Sequence, residues 1–263
     1  MQAQNHRNSV LCIGGLDPSG GAGLQADIEA ISACGGHALP IASCLTVQNT
    51  LVASDITAVE SRLIQNQARP LIKDFNISAC KIGVIPNDDI ARNVAEIINL
   101  LPEVPIVLDP VLSASSGISF NDRSTLDTVK KYIFPRVTII TPNHYELSAI
   151  TQCEENEAIQ CKTLCGMGPD FVLLTGGDNN TTSVVNSLYT SDGEYRNYTW
   201  GRLPNQYHGS GCTLSSAIAC YLGQGLNMHN AVEKAQQYTM LALEHAESLG
   251  NGQWIPNRNI SNN

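Results

Sequence analysis

Short apolar runs alternate with longer helical patterns along almost the whole chain, and this alternation limits the possible folds sharply. Runs at residues 10–14, 41–47, 79–83, 106–109, 137–141 and 171–175 read as buried strands. Helical patterns at 24–33, 61–75, 88–101, 124–132 and 155–165 lie between them, with a short helix after Asn143. Asn87 is placed to cap the helix that begins at Asp88. A hairpin over 183–189 and 195–200 should close near Asp192-Gly193, and two helices, 213–222 and 230–248, should follow. Parallel strands need long crossovers, so repeated strand–helix–strand units predict an α/β fold with helices on both faces of a mostly parallel sheet. No Pro/Gly/Ser-rich linker divides the chain, so one domain over 1–263 is expected. The polar, Asn-rich tail at 257–263 is expected to fray.

In such sheets, ligands bind beyond the carboxyl ends of the strands. The unusual residues of this sequence fall there. The predicted strands end at Gly14-Gly15-Leu16-Asp17, Val47-Gln48-Asn49, Gly83-Val84, Asp109-Pro110, Thr141-Pro142-Asn143 and Thr175-Gly176-Gly177. One shared rim is the natural candidate site.

The segment Tyr207-His208-Gly209-Ser210-Gly211-Cys212-Thr213-Leu214 runs from a glycine turn directly into an apolar helix. Glycines let successive N–H groups converge, and a helix start adds its own N–H groups and positive dipole end. Gly209, Ser210 and Gly211 therefore form a candidate anion cradle, suited to a phosphate. Cys212 sits at the helix mouth, where a thiol is expected to ionise more readily. A base beside a phosphate cradle points to a hydroxyl activated for attack on a phosphoryl group. The same pattern also fits an ordinary tight turn with a small buried cysteine.

A second glycine-rich loop, 14–23, follows the first strand and opens a helix, without Walker or dinucleotide-fold spacing. It can bring backbone close to a small flat ligand. Asp27 shares a helix face with Gly23 and reads as an acid favoured by the helix dipole. Gln48 can donate and accept at once, which suits a heterocycle with a ring nitrogen beside an amine. Asn49 equally suits a turn. Asp109, Asn143 and Glu146 offer hard oxygen ligands for Mg²⁺ on one rim, although each alone would suit a cap or a turn. His208 is expected to serve structure first.

The formal net charge of −9 argues against binding nucleic acid or an anionic membrane surface. Nine cysteines without a C-x-x-C pair or zinc-ligand spacing, and no recognisable signal peptide, lead to the expectation of a reduced, cytoplasmic protein.

Gly20-Gly-Ala-Gly-Leu-Gln-Ala-Asp27 resembles the GGAGIQAD signature of hydroxymethylpyrimidine/phosphomethylpyrimidine kinases of thiamine biosynthesis. Lys81-Ile-Gly83, Leu108-Asp-Pro-Val111, Thr141-Pro-Asn143 with Glu146, and His208-Gly-Ser-Gly-Cys212 resemble that family's KIG, LDPV, TPN-x-x-E and HGTGC elements in the same order. The resemblance implies a three-layer α/β/α ribokinase-like fold. It implies MgATP-dependent phosphorylation of 4-amino-5-hydroxymethyl-2-methylpyrimidine and then of its monophosphate, by a homodimer. On this basis Gln48, Gly15, Ala22, Asp27 and Val84 would bind the pyrimidine. Gly209, Ser210 and Gly211 would form the anion hole, and Cys212 would be the base. Asn143, Glu146, Thr175 and Gly177 would face the nucleotide, with Asp109 and Glu146 toward Mg²⁺. Where the family commonly has lysines, this chain has Ser115 and Thr175, so Mg²⁺ and a monovalent cation become candidates for the missing charge. The neighbouring readings are a pyridoxal kinase of the same fold and a non-catalytic pyrimidine-binding protein.

Overall fold

The computed structural model describes residues 7–113, 123–177 and 182–260. The chain begins with β1 (Ser9–Leu16), α1 (Gly23–Ala33), β2 (His37–Gln48), β3 (Ala53–Ala58), α2 (Ser61–Asp74) and β4 (Ile77–Ile82). It continues through α3 (Asp88–Leu100), β5 (Ile106–Leu108), α4 (Arg123–Tyr132), β6 (Ile139–Ile140), α5 (His144–Thr151), α6 (Glu157–Gly166) and β7 (Phe171–Leu174). The hairpin β8 (Ser183–Thr190) and β9 (Gly193–Gly201) precedes α7 (Ser210–Gly223) and α8 (Met228–Glu244).

Among the described residues the strands form one nine-stranded sheet in the order β3-β2-β1-β4-β5-β6-β7-β8-β9. The six strands from β2 to β7 are parallel, and antiparallel β3 and β8–β9 flank them. β1 is buried except at its last residue, as expected for a strand covered on both faces. Its Leu11 and Ile13 join the core under α2 to α6, while Val10 and Cys12 join the core under α1, α7 and α8. Helices on both faces of a mostly parallel sheet give three layers, as the alternation predicts. The small residues Ser215, Ser216, Ala217 and Ala219 are all buried, and they let α7 lie close over the sheet.

Two local expectations are corrected. The strand β3 is absent from the sequence reading because its segment, ASDITA, buries only Ala53 and shows no apolar alternation. The tail expected to fray from 257 is instead packed as far as Arg258, which is 1% exposed. The Tyr238 hydroxyl donates to the Arg258 carbonyl at 2.9 Å. Residues 261–263 lie outside the described residues.

Candidate active site

Two glycine turns meet at the start of α7. Its N-cap, Gly209, has φ 77° and ψ 21°, a left-handed conformation that favours glycine. A side chain at Gly209 would collide with the Gly21 carbonyl and Ala22 Cα, and one at Gly21 would collide with the His208 ring. The loops are therefore in backbone contact, which explains glycine at these positions. The N–H groups of the first turn of α7 have no intrahelical acceptor and point away from the helix body. Ser210 and Gly211 are the first two residues of α7.

Asp17 ties the two turns together. Its carboxylate accepts from the Ser19 N–H at 2.8 Å, the Ala22 N–H at 2.9 Å and His208 Nε2 at 2.8 Å. Burial alone would raise its pKa, but hydrogen bonds from His208, Gln48 and Ser19 win and hold it at about 2. His208 thus has the structural role expected of it.

Beneath the two turns lies a buried polar cluster. Lys81, near the carboxyl end of β4, donates to Asp27 Oδ1 at 2.8 Å and stands 4.0 Å from Asp109 Oδ2. Ser216 donates to the same oxygen of Asp27 at 2.7 Å, and Ser215 donates to Asp109 at 3.3 Å. Burial weakens the Lys81 charge, yet Asp27, Cys212 and Asp109 outweigh it and push its pKa above the usual lysine value. For Asp109, burial dominates and its pKa is raised, opposed by Lys81 and by a hydrogen bond with Cys212. Asp27 therefore departs from both expected roles: it is a core ion-pair partner, closed to solvent, neither an acid serving the dipole of α1 nor open to a pyrimidine. Its Oδ2 has no hydrogen-bond partner among the described residues and faces Gly14.

This cluster also overturns the expectation for Cys212. The thiol pKa is pushed up to about 12, first by burial and then by Asp109 and Asp27; Lys81 and a hydrogen bond from the Gly23 backbone oppose this. Burial, reinforced by the two carboxylates, outweighs Lys81, so the resting residue is a thiol.

Gln48 is half-buried at the end of β2 and lines a cavity of about 380 Å³ together with His208, Gln206 and Trp254. Gly15 and Val84 lie side by side at adjacent strand ends; a Cβ on Gly15 would sit 3.7 Å from that of Val84. Ala22 caps α1 and is fixed through Asp17. Asn49 is the turn former anticipated: its side chain accepts from the Leu51 and Val52 N–H groups.

Farther along the rim, Asn143 and Glu146 form a reciprocal capping box on α5, with bonds of 2.8 and 2.9 Å. Thr175 pairs with Asn143, and its hydroxyl donates to the Pro142 carbonyl. The Gly177 carbonyl accepts from Arg202 at 3.0 Å, placing a cation beside the turn where a lysine was missed. Ser115 lies outside the described residues. Among the described residues, no group of three or more His, Cys, Asp or Glu side chains is arranged for a metal ion.

Sequence reasoning left Asp17, Arg202 and Arg258 without a role and gave Lys81 no role beyond its motif. Lys81 carried a signal, a lysine inside an otherwise apolar strand.

The family model for phosphomethylpyrimidine kinase matches residues 17–257. The hydroxymethylpyrimidine/phosphomethylpyrimidine kinase of Escherichia coli (strain K12) is 32% identical over 254 residues, covering 95% of this chain and 96% of that protein. A probable chloroplastic thiamine biosynthetic bifunctional enzyme of Oryza sativa subsp. japonica is 31% identical over 251 residues. That match covers 92% of this chain but 46% of the rice protein, so the chain spans about half its length. In fold, the chain is similar to the pyridoxal kinase of Staphylococcus aureus solved with pyridoxal. The TM-score is 0.88 at 21% identity, over 97% of this chain and 95% of that one.

Proposed function

Because this chain belongs to the phosphomethylpyrimidine kinase family, we propose that it phosphorylates 4-amino-5-hydroxymethyl-2-methylpyrimidine, and then its monophosphate, with ATP. Its three-layer fold is ribokinase-like. The observation that carries the reading is the meeting of two glycine turns at the mouth of α7, with Cys212 backed by Asp109.

The pyrimidine ring packs beside Gly15, Ala22 and Val84, with its polar edge on Gln48. The hydroxymethyl oxygen approaches Cys212 and attacks the γ-phosphorus in line. Because Cys212 rests as a thiol hydrogen-bonded to Asp109, the proton moves by relay. The substrate hydroxyl gives its proton to sulfur as sulfur gives its own to the Asp109 carboxylate. Lys81 holds the charge of the carboxylate pair, and the N–H groups of Gly209, Ser210 and Gly211 stabilise the transferring group. Asn143 and Glu146 shape the nucleotide side of the rim, with Thr175 and Gly177. Asp109 and Glu146 would hold a bound Mg²⁺, mainly through water and phosphate oxygens, and the ion would supply charge neutralisation of the triphosphate; a monovalent cation would be a second source of charge.

Leu45, Val47, Leu51 and Val52 are exposed along β2 and the turn into β3. This apolar edge supports a homodimer in which a second copy covers it. All nine cysteines are unpaired, which supports a reducing, cytoplasmic setting. No helix among the described residues is long and apolar enough to cross a membrane.

Incubation with MgATP and the pyrimidine alcohol, followed by mass analysis, tests the reading. The expected product is the monophosphate and then the diphosphate. ATP consumption without a phosphorylated pyrimidine would contradict it.

A further inference from the structure

Arg258 reaches from beyond the last helix into the seam between the two glycine turns. Its Nε donates to Thr213 Oγ1 at 2.8 Å, one residue past Cys212. Its Nη1 lies 3.4 Å from the Gly20 carbonyl and 3.1 Å from Glu29 Oε2, and its Nη2 donates to the Gly21 carbonyl. The guanidinium is buried, and its own carbonyl is held by Tyr238. One planar group therefore spans the substrate loop, α1 and the first turn of α7. Only an arginine presents several donors in such a fixed fork.

The seam has chemical consequences. Gly209 packs on Gly21 and Ala22, and the backbone of Gly23 hydrogen-bonds to the sulfur of Cys212. The spacing between loop 20–23 and the start of α7 therefore sets where Cys212 stands relative to a pyrimidine lying on that loop. The family match ends at residue 257, one position before the arginine.

We propose that Arg258 is a positioning residue of the phosphoryl transfer, fixing the glycine loop of the pyrimidine site against the helix that carries Cys212. This rests on the kinase reading above. A buried guanidinium with four acceptors is held far more tightly than solubility or tail anchoring requires. Among the described residues, none of its hydrogen bonds reaches the Asn143–Glu146 side, so its loss should leave ATP binding alone.

The test compares Arg258→Met, Arg258→Lys and Tyr238→Phe with the wild type. Tyr238→Phe removes the anchor of the same residue's backbone and serves as the control for stability alone. Melting temperature, kcat, KM for the pyrimidine alcohol and KM for MgATP are measured. Hydrogen exchange at the amides of 20–23 is followed in the absence of any ligand.

For Arg258→Met, kcat/KM for the pyrimidine should fall more than tenfold, with KM for MgATP within twofold of wild type and faster exchange at 20–23. Tyr238→Phe should lose melting temperature while keeping its kinetic constants within twofold. If Arg258→Met does not fold, Arg258→Lys decides: it should fold and still lose at least fivefold in pyrimidine kcat/KM, because one ammonium cannot span the seam. A folded Arg258 variant with wild-type pyrimidine kinetics and wild-type exchange overturns the proposal. So do equal losses for both substrates, or losses that Tyr238→Phe reproduces. A wild-type protein with no kinase turnover would instead sink the functional reading, and the exchange data would still judge the clamp.

Discussion

Lys81 donates to Asp27 across 2.8 Å in a place where neither side chain reaches solvent. Asp109 lies within 4.0 Å of the same ammonium, so one buried cation serves two carboxylates. Removing it would leave uncompensated charge in a medium that solvates it poorly. Lys81→Met should destabilise the protein by about 3–5 kcal/mol. Pairing it with Asp27→Asn should recover part of that loss, because the charge that needed the ammonium is gone. Urea unfolding of the single and double variants measures the coupling; simple additivity would mean the pair does not interact.

If Cys212 passes the proton as proposed, its replacement should affect the chemical step far more than binding. Cys212→Ala should lower kcat by roughly 10²–10⁴-fold while leaving nucleotide binding within about twofold. The raised pKa, about 12, adds a second expectation. In the free protein, alkylation of Cys212 by iodoacetamide should still be accelerating as pH rises from 8 to 10, because the thiolate fraction is far from saturation. A plateau below pH 8, read by mass spectrometry of the Cys212 peptide, would mean a pre-formed thiolate and no need for Asp109.

Asp17 stabilises the fold through its ionised form. Its pKa is held at about 2, below the ordinary value of 3.8, by His208, Gln48 and Ser19 against the opposing effect of burial. A depressed carboxylate contributes fully above pH ~4, and the contribution disappears as pH falls through about 2. Asp17→Asn should cost about 2 kcal/mol at pH 7, and its deficit relative to wild type should shrink steadily between pH 4 and pH 2. Denaturant titrations across that range check the sign; a deficit that grows on acidification would contradict it.

Gln48 lies at the edge of the cavity and also bonds Asp17, so the proposed recognition of the pyrimidine would be tied to the loop that frames it. Gln48→Leu should weaken pyrimidine binding by about 1–3 kcal/mol and ATP binding by much less. Calorimetry on both ligands separates the outcomes. Equal weakening would assign Gln48 to loop structure alone.

The strand–helix alternation made the layered fold legible because parallel strands buried on both faces must be nearly continuous apolar runs. Glycines at the strand ends and before α7 announced the rim, since a left-handed N-cap such as Gly209 leaves a visible residue type. The reading failed where a residue's meaning depends on a distant partner. Arg258 meets Gly20 and Gly21 across more than two hundred residues, and in sequence it is only a polar residue in a polar tail. Asp27 looked like a helix-dipole acid because Lys81, its partner, sits on another element. The ionisation of Cys212 was misjudged for the same reason: the helix start is local and visible, whereas the burial of the thiol and the approach of Asp109 and Asp27 arise only in three dimensions. β3 was missed because a solvent-facing edge strand buries too little to show a period.

The central claim is that the hydroxyl delivered to Cys212 belongs to an aminopyrimidine. The most direct measurement is kcat/KM for 4-amino-5-hydroxymethyl-2-methylpyrimidine against that for pyridoxal, each at limiting concentration with saturating MgATP. Pyridoxal also carries a hydroxymethyl group on a flat ring, but it lacks the ring nitrogen beside an amine that Gln48 is placed to read. The account predicts a preference of at least tenfold for the pyrimidine, consistent with about 1–3 kcal/mol from one buried amide contact, and a preference that collapses in Gln48→Leu. Equal efficiency on the two substrates, or a preference for pyridoxal, would contradict it.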